Sequence, residues 1–154
     1  MLKLLLAFMA LVAPATAFAT DSVALSSMVF VEKTISDADG KAKTTLHEPK
    51  VVTPGDRLIF IVNYQNRGAA VARNFVVTNP LPNAVAYQGT ADAAAEVSID
   101  GGKIWGALAA LKVADGANRW RSARPEDVTH VRWTMKQAIP VGAQGKLSFR
   151  GIVR

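Results

Sequence analysis

There is no cysteine anywhere in the 154 residues of this chain. No disulfide can staple the fold, and no thiolate can hold a metal or act as a nucleophile. Histidine is almost as scarce. His47 and His130 are the only two, and neither has companions at the spacing a zinc site or a general base requires. A Gly-x-Ser-x-Gly elbow and a phosphate-cradling glycine loop are both missing, so hydrolase and nucleotide chemistry find no support. Charge of one sign is not concentrated either. Eighteen Lys and Arg against twelve Asp and Glu give a formal charge of +6, spread along the chain rather than gathered into the basic stripe of a nucleic-acid binder. The expectation is therefore no enzyme, no cofactor, no metal and no nucleic-acid partner.

Long apolar runs are also few. The longest begins at the N-terminus, where Lys3 precedes Leu4 to Val12, Pro14 breaks the run, and Ala17-Phe18-Ala19 has the small-x-small form that signal peptidase accepts. The run is too short to cross a bilayer, which takes about 20 residues. Residues 1–19 read as a signal peptide, with Thr20 as the mature start and 20–154 as one domain. The mature chain is expected to lie in the periplasm or outside the cell. It carries no later apolar span as a transmembrane anchor and no cysteine for lipid attachment.

What the chain does have is β-pattern. Met28 to Ile35 is rich in β-formers, Asp37-Ala38-Asp39-Gly40 is a tight-turn signal, and Lys41 to Leu46 can return as a second strand. Arg57 to Gln65 and Arg73 to Thr78 carry apolar residues on both faces, as strands near the middle of a packed sheet do. Ala84 to Gln88 is a further short strand, and Ala94 to Ile99 with Lys103 to Trp105 flanks Asp100-Gly101-Gly102 as a hairpin. Gly106 to Val113 is open between strand and helical turn, and 115–116 and 124–127 read as loop. Val131, Trp133 and Met135 alternate with His130, Arg132, Thr134 and Lys136. Leu147, Phe149 and Val153 alternate with Lys146, Ser148, Arg150 and Ile152. Period two with one face apolar is the mark of a strand between core and water. Seven to nine short antiparallel strands at this spacing predict an all-β sandwich of immunoglobulin-like type.

The corner at 51–82 also resembles a known family. Val31-Glu32-Lys33, Pro54-Gly55-Asp56, Asn66-Arg67-Gly68 and Val76-Val77-Thr78-Asn79-Pro80-Leu81-Pro82 are similar to the Val-x-Lys, Pro-Gly-Asp, Asn-x-Gly and Val-x-Val-x-Asp-x-Leu-Pro segments of the conserved repeat domain of bacterial surface proteins, domain of unknown function eleven. Asn79 stands where that family usually has Asp. The likeness covers roughly residues 29–88, and more loosely Trp133 to Val153. It implies an immunoglobulin-like sandwich outside the cytoplasm with a structural or adhesive role. Here it occurs as a single copy, which favours a small exported protein over a stalk.

Four local patterns bear on a site. Ser98-Ile99-Asp100-Gly101-Gly102-Lys103-Ile104-Trp105 is close to the Asp-box of glycan-active propellers, with Ile104 for the usual Thr. One copy signals a hairpin with the Trp packed beneath it rather than a glycan site. Asp37, Asp39 and Gly40 look like the start of a calcium loop, but Lys41 and Lys43 follow where oxygen ligands belong, so a solvated turn is expected. His130 falls on the polar face of its strand, and His47 sits beside Glu48 in a loop; both are expected in water. Arg119-Trp120-Arg121-Ser122-Ala123-Arg124 is the one basic cluster with an aromatic. It supports either an anion site, formed by Arg119, Trp120, Arg121 and Arg124, or a wet loop whose Trp folds under the sandwich.

Together these observations favour a non-enzymatic exported β-sandwich that meets an envelope or surface protein through a sheet edge and loops. The alternatives are a module for anionic glycans or glycolipids built on Arg119, Arg121 and Arg124, and a carbohydrate-binding accessory domain using Trp105 or Trp120.

Overall fold

The structure, a computed structural model, describes residues 23–37, 39–92, 94–116 and 119–154. The leader expected at Met1–Ala19 and the mature start expected at Thr20 lie outside these residues.

Ten strands occur among the described residues: β1 Val23–Ser36, β2 Ala42–His47, β3 Arg57–Asn66, β4 Val76–Pro80, β5 Val85–Gly89, β6 Ala95–Ser98, β7 Lys112–Ala114, β8 Trp120–Ser122, β9 His130–Thr134 and β10 Gln144–Val153. Two 3-10 turns, Leu108–Ala110 and Pro125–Asp127, are the only helical pieces among them. The strands form a five-stranded sheet in the order β2-β1-β3-β10-β5, a three-stranded sheet β4-β9-β6, and the small ribbon β7-β8. All pairings are antiparallel. The two larger sheets enclose a common core, so the protein is an all-β, immunoglobulin-like sandwich.

The core forms where the inward faces meet. Phe60 of β3 and Phe149 of β10 are cross-strand partners whose rings stack 4.5 Å apart. Trp133, buried on β9 of the opposite sheet, reaches the same Phe149 with ring centroids 6.0 Å apart. Val62, Leu147, Val77, Val97 and Val131 fill the space around them. The alternation at 130–134 and 146–153 therefore holds as expected, with Val131, Trp133, Leu147, Phe149 and Val153 all buried.

The unbroken apolar run of β3 has its own cause. Leu58 to Val62 are all buried because β3 lies between β1 and β10. Its outward residues are flanked on both sides, Ile59 by Phe30 and Arg150, and Ile61 by Met28 and Ser148. The similar run at Val76-Val77 does not have this cause. β4 is an edge strand of the small sheet, with Val77 buried and Val76 46% exposed, so its placement near the middle of a sheet is corrected. The strand count also rises past nine. The two three-residue strands β7 and β8 occupy the segment that sequence left open or read as loop, and a strand that short shows no period.

The loop pattern at 53–56 works as its residues suggest. Gly55 takes φ +95°, and the Asp56 carboxylate accepts from the Thr53 N–H at 2.7 Å and from its hydroxyl at 3.1 Å. Asn66 ends β3 fully buried. Its amide donates to the carbonyls of Ala70 and Ile139, both at 2.8 Å, while its side-chain oxygen accepts from the Gly68 N–H at 2.9 Å. One side chain thus ties the 66–70 loop to the segment that leads into β10.

Candidate functional site

The feature with the clearest capacity for contact is the free margin of β1. β1 has fourteen residues, but β2 pairs with it only from Val31 to Ser36. β3 covers its other side from Val23 to Glu32. Among the described residues, Val23 to Phe30 is therefore an edge with no strand on its outer side. Backbone parity gives the direction of its polar groups. The Asp37 N–H donates to the Lys41 carbonyl, so odd residues of β1 make the bonds to β2, because antiparallel partners alternate between bonded and non-bonded pairs. The opposite margin agrees. Asn66 N–H donates to Ala143 and Val153 N–H to Asp56, which assigns even positions of β3 to β10 and odd ones to even positions of β1. Val23, Leu25, Ser27 and Val29 therefore aim their N–H and C=O groups at the open margin.

Sequence pattern missed Val23 to Ser27, and with them three of the four outward-directed residues. The strand was expected to start at Met28, because Ser26-Ser27 interrupts the apolar pattern. The length mismatch that opens the margin, a fourteen-residue β1 against a six-residue β2, shows only in the folded chain.

The arginine cluster is split by the ribbon. Along β8 the alternation turns Arg121 away from Trp120 and Ser122. Arg121 makes a two-pronged pair with Asp127, at 2.6 and 2.7 Å. That hydrogen bond holds the Asp127 carboxyl below, and the guanidinium above, their ordinary values. Asp127 also accepts from the Arg124 N–H at 2.7 Å, and Arg119 lies 3.4 Å from Asp115. Two of the three guanidinium groups are thus paired with carboxylates of their own segment. Trp120 does not fold under the sandwich as the wet-loop expectation had it. It is 70% exposed and borders a cleft of about 490 Å³ with Ile99, Asp100, Ile104, Leu111 and Lys112.

The Asp100 turn behaves as its residues suggest. Asp100 accepts from the N–H groups of Lys103 and Ile104, both at 3.0 Å, and from the Ser98 hydroxyl at 2.7 Å. These bonds, the Ile104 amide foremost, hold its carboxyl below the ordinary value. The turn's share of stability is thus present above the usual carboxylate range and is lost as pH falls through the lowered value. The Trp105 indole donates to the Gly102 carbonyl at 2.8 Å. The return arm is a single bridge, Val97 to Gly106, rather than the strand expected at 103–105. Gly102 has φ +91°, and a Cβ there would meet the Trp105 ring at 3.3 Å. Gly102→Val is expected to lower the denaturation midpoint well below that of Lys103→Val, since Lys103 is exposed. Equal midpoints would show that this turn tolerates a side chain.

His130 is only half exposed, against the expectation of a fully wet residue. Its ring stands edge-on to Trp105 at 6.3 Å, and the Arg132 guanidinium lies 4.2 Å over the same indole. The outer face of β9 is thus covered by the Asp100 hairpin. His47 is exposed, 2.9 Å from the Thr45 hydroxyl. The Asp37 carboxylate accepts from the N–H groups of Asp39 and Lys41 at 3.1 and 2.8 Å. One of its oxygens thus closes the turn. Among the described residues no three His, Asp or Glu side chains gather as a metal would require, and no helix is long and apolar enough to cross a membrane.

No family model, no curated protein and no solved structure matches this chain.

Proposed function

We propose that this protein is an exported, non-enzymatic β-sandwich of the bacterial cell envelope, with a structural or protein-binding role exerted through the free margin of β1. The observation that carries this reading is the open edge itself: four residues with N–H and C=O groups directed outward, on a strand with no charge from Val23 to Phe30. Natural sheets usually blunt such margins with charge, proline or a covering element, because an open margin templates another strand. The leader-like residues 1–19 and the likeness to surface repeat domains support an address outside the cytoplasm. The anion-site reading is less favoured, because Arg119 and Arg121 already face carboxylates.

The test is capture from an envelope extract with purified protein and two variants. Ser27→Pro removes an N–H that points to the open side, leaving the ladder to β3 intact, and proline is tolerated at such edge positions. Capture is expected to fail with Ser27→Pro and to persist when Arg119, Arg121 and Arg124 are all changed to Gln. The reverse pattern would overturn the edge reading and favour the arginine segment.

A further inference from the structure

We infer that the open margin of β1 pairs with the same margin of a second copy of this chain, across a two-fold axis through Ser26. The inference rests on the edge reading above and names its partner.

The register follows from the backbone. With the axis at Ser26, Val23 lies opposite Val29 of the second copy and Leu25 opposite Ser27, and the same holds in reverse. All four outward-directed residues then meet an outward-directed residue, so each copy's four free N–H and four free C=O groups are satisfied. Moving the axis to Ser27 would set Val23 against Val31, whose outer side is already bonded to His47 of β2. With the axis at Leu25, only Val23, Leu25 and Ser27 of the four would meet an outward-directed partner among the described residues. The end of β2 therefore acts as a stop that selects the register. A two-fold normal to the sheet keeps the inner faces of both copies on one side, so the two five-stranded sheets join edge to edge.

Side chains agree with this pairing. Val23 to Phe30 contains no charged residue and no proline, so a chain of net charge +6 can bring two copies of this segment together without like charges across the seam. Leu25 and Met28 are 49% and 43% exposed. Leu25 would stand diagonal to its own counterpart, within reach across a strand pair. Met28 would face Ala24 of the second copy. An isologous contact of this kind closes on itself and yields a dimer rather than a fibre.

The absence of cysteine makes the test clean. Ser26→Cys places a single thiol on each chain at the axis, in a non-bonded pair whose Cα atoms are about 4.5 Å apart, inside the range a disulfide spans. Ala24→Cys places the thiols four residues out of register, about 14 Å apart along the strands. Under mild oxidation Ser26→Cys is expected to cross-link almost fully and Ala24→Cys hardly at all. Light scattering over a concentration series should show the wild-type mass rise to twice the chain mass and that of Ser27→Pro stay at one, with circular dichroism confirming that Ser27→Pro is folded. Should Ser27→Pro unfold, the two cysteine variants still decide the matter. A wild type that stays monomeric with no Ser26→Cys cross-link would overturn the dimer. Equal cross-linking of both cysteine variants would overturn the register. If the protein is monomeric but Ser27→Pro still abolishes capture from the extract, the self-pairing falls and the edge function stands. If capture is indifferent to Ser27→Pro as well, both fall.

Discussion

Trp133→Ala is expected to lose about 3–5 kcal/mol of folding stability, the usual range for truncating a buried aromatic. Trp133 is 1% exposed and lies against Phe149, which stacks on Phe60. Its removal opens a void where the two sheets meet through aromatic contact, and the strands on either side are held by their own ladders and cannot collapse into it. The indole N–H has no hydrogen-bond partner among the described residues, so Trp133→Phe gives back part of that loss by removing a buried donor while keeping a ring in place. The control on the same strand is His130→Ala. That half-buried ring makes an edge contact with Trp105 and a 3.0 Å contact with the Thr129 hydroxyl, and its loss is expected to cost about 1 kcal/mol or less. Urea denaturation at constant slope measures all three. Equal midpoints for Trp133→Ala and His130→Ala would mean that β9 presents the opposite face to the core.

The second large effect belongs to Asn66. Its side chain makes three bonds to backbone groups and is completely buried. Asn66→Ala empties a fully buried site and removes three bonds, but Ala70 is exposed and Gly68 half-buried, so water can take over part of what these two groups lose. The Ile139 carbonyl suffers less, because it also accepts from the Ala72 N–H. A loss of about 1–3 kcal/mol is expected. Asn66→Asp is a sharper probe. At neutral pH a carboxylate would face the carbonyls of Ala70 and Ile139, so its proton is held more tightly in the folded chain than in the unfolded one. Stability from a raised folded value is present below the unfolded carboxylate range and is lost as pH rises. Asn66→Asp should therefore be weak at neutral pH and recover toward wild type in mild acid, whereas Asn66→Ala should show no such recovery. Denaturation midpoints at two pH values separate the cases. A loss no larger than that of a surface substitution would show that the 66–70 loop is held by other contacts.

Both residues were visible in the chain to different degrees. Trp133 announced itself through alternation with His130, Arg132 and Thr134. Asn66 looked like a strand breaker, and its three backbone partners, one of them 73 positions away, appear only when the loops meet. The arginine cluster shows the same limit. Three arginines and a tryptophan within six residues look like one surface, but the β8 pleat turns Arg121 away from Trp120, and Asp127 sits where it can take the charge.

The amino-acid order alone determined the β class, the inward faces of β9 and β10, the run that marks β3 as central, and the turns at Asp37, Gly55 and Asp100. These depend on local preferences and on period two, which are written residue by residue. Tertiary structure alone decided which sheet each strand joins, that β4 is an edge, that Trp120 is exposed, and that β1 outruns β2 to leave Val23–Phe30 open. Those outcomes depend on pairing between distant segments, where the end of one strand sets the free margin of another, and a margin left uncovered has no signature in the residues that form it.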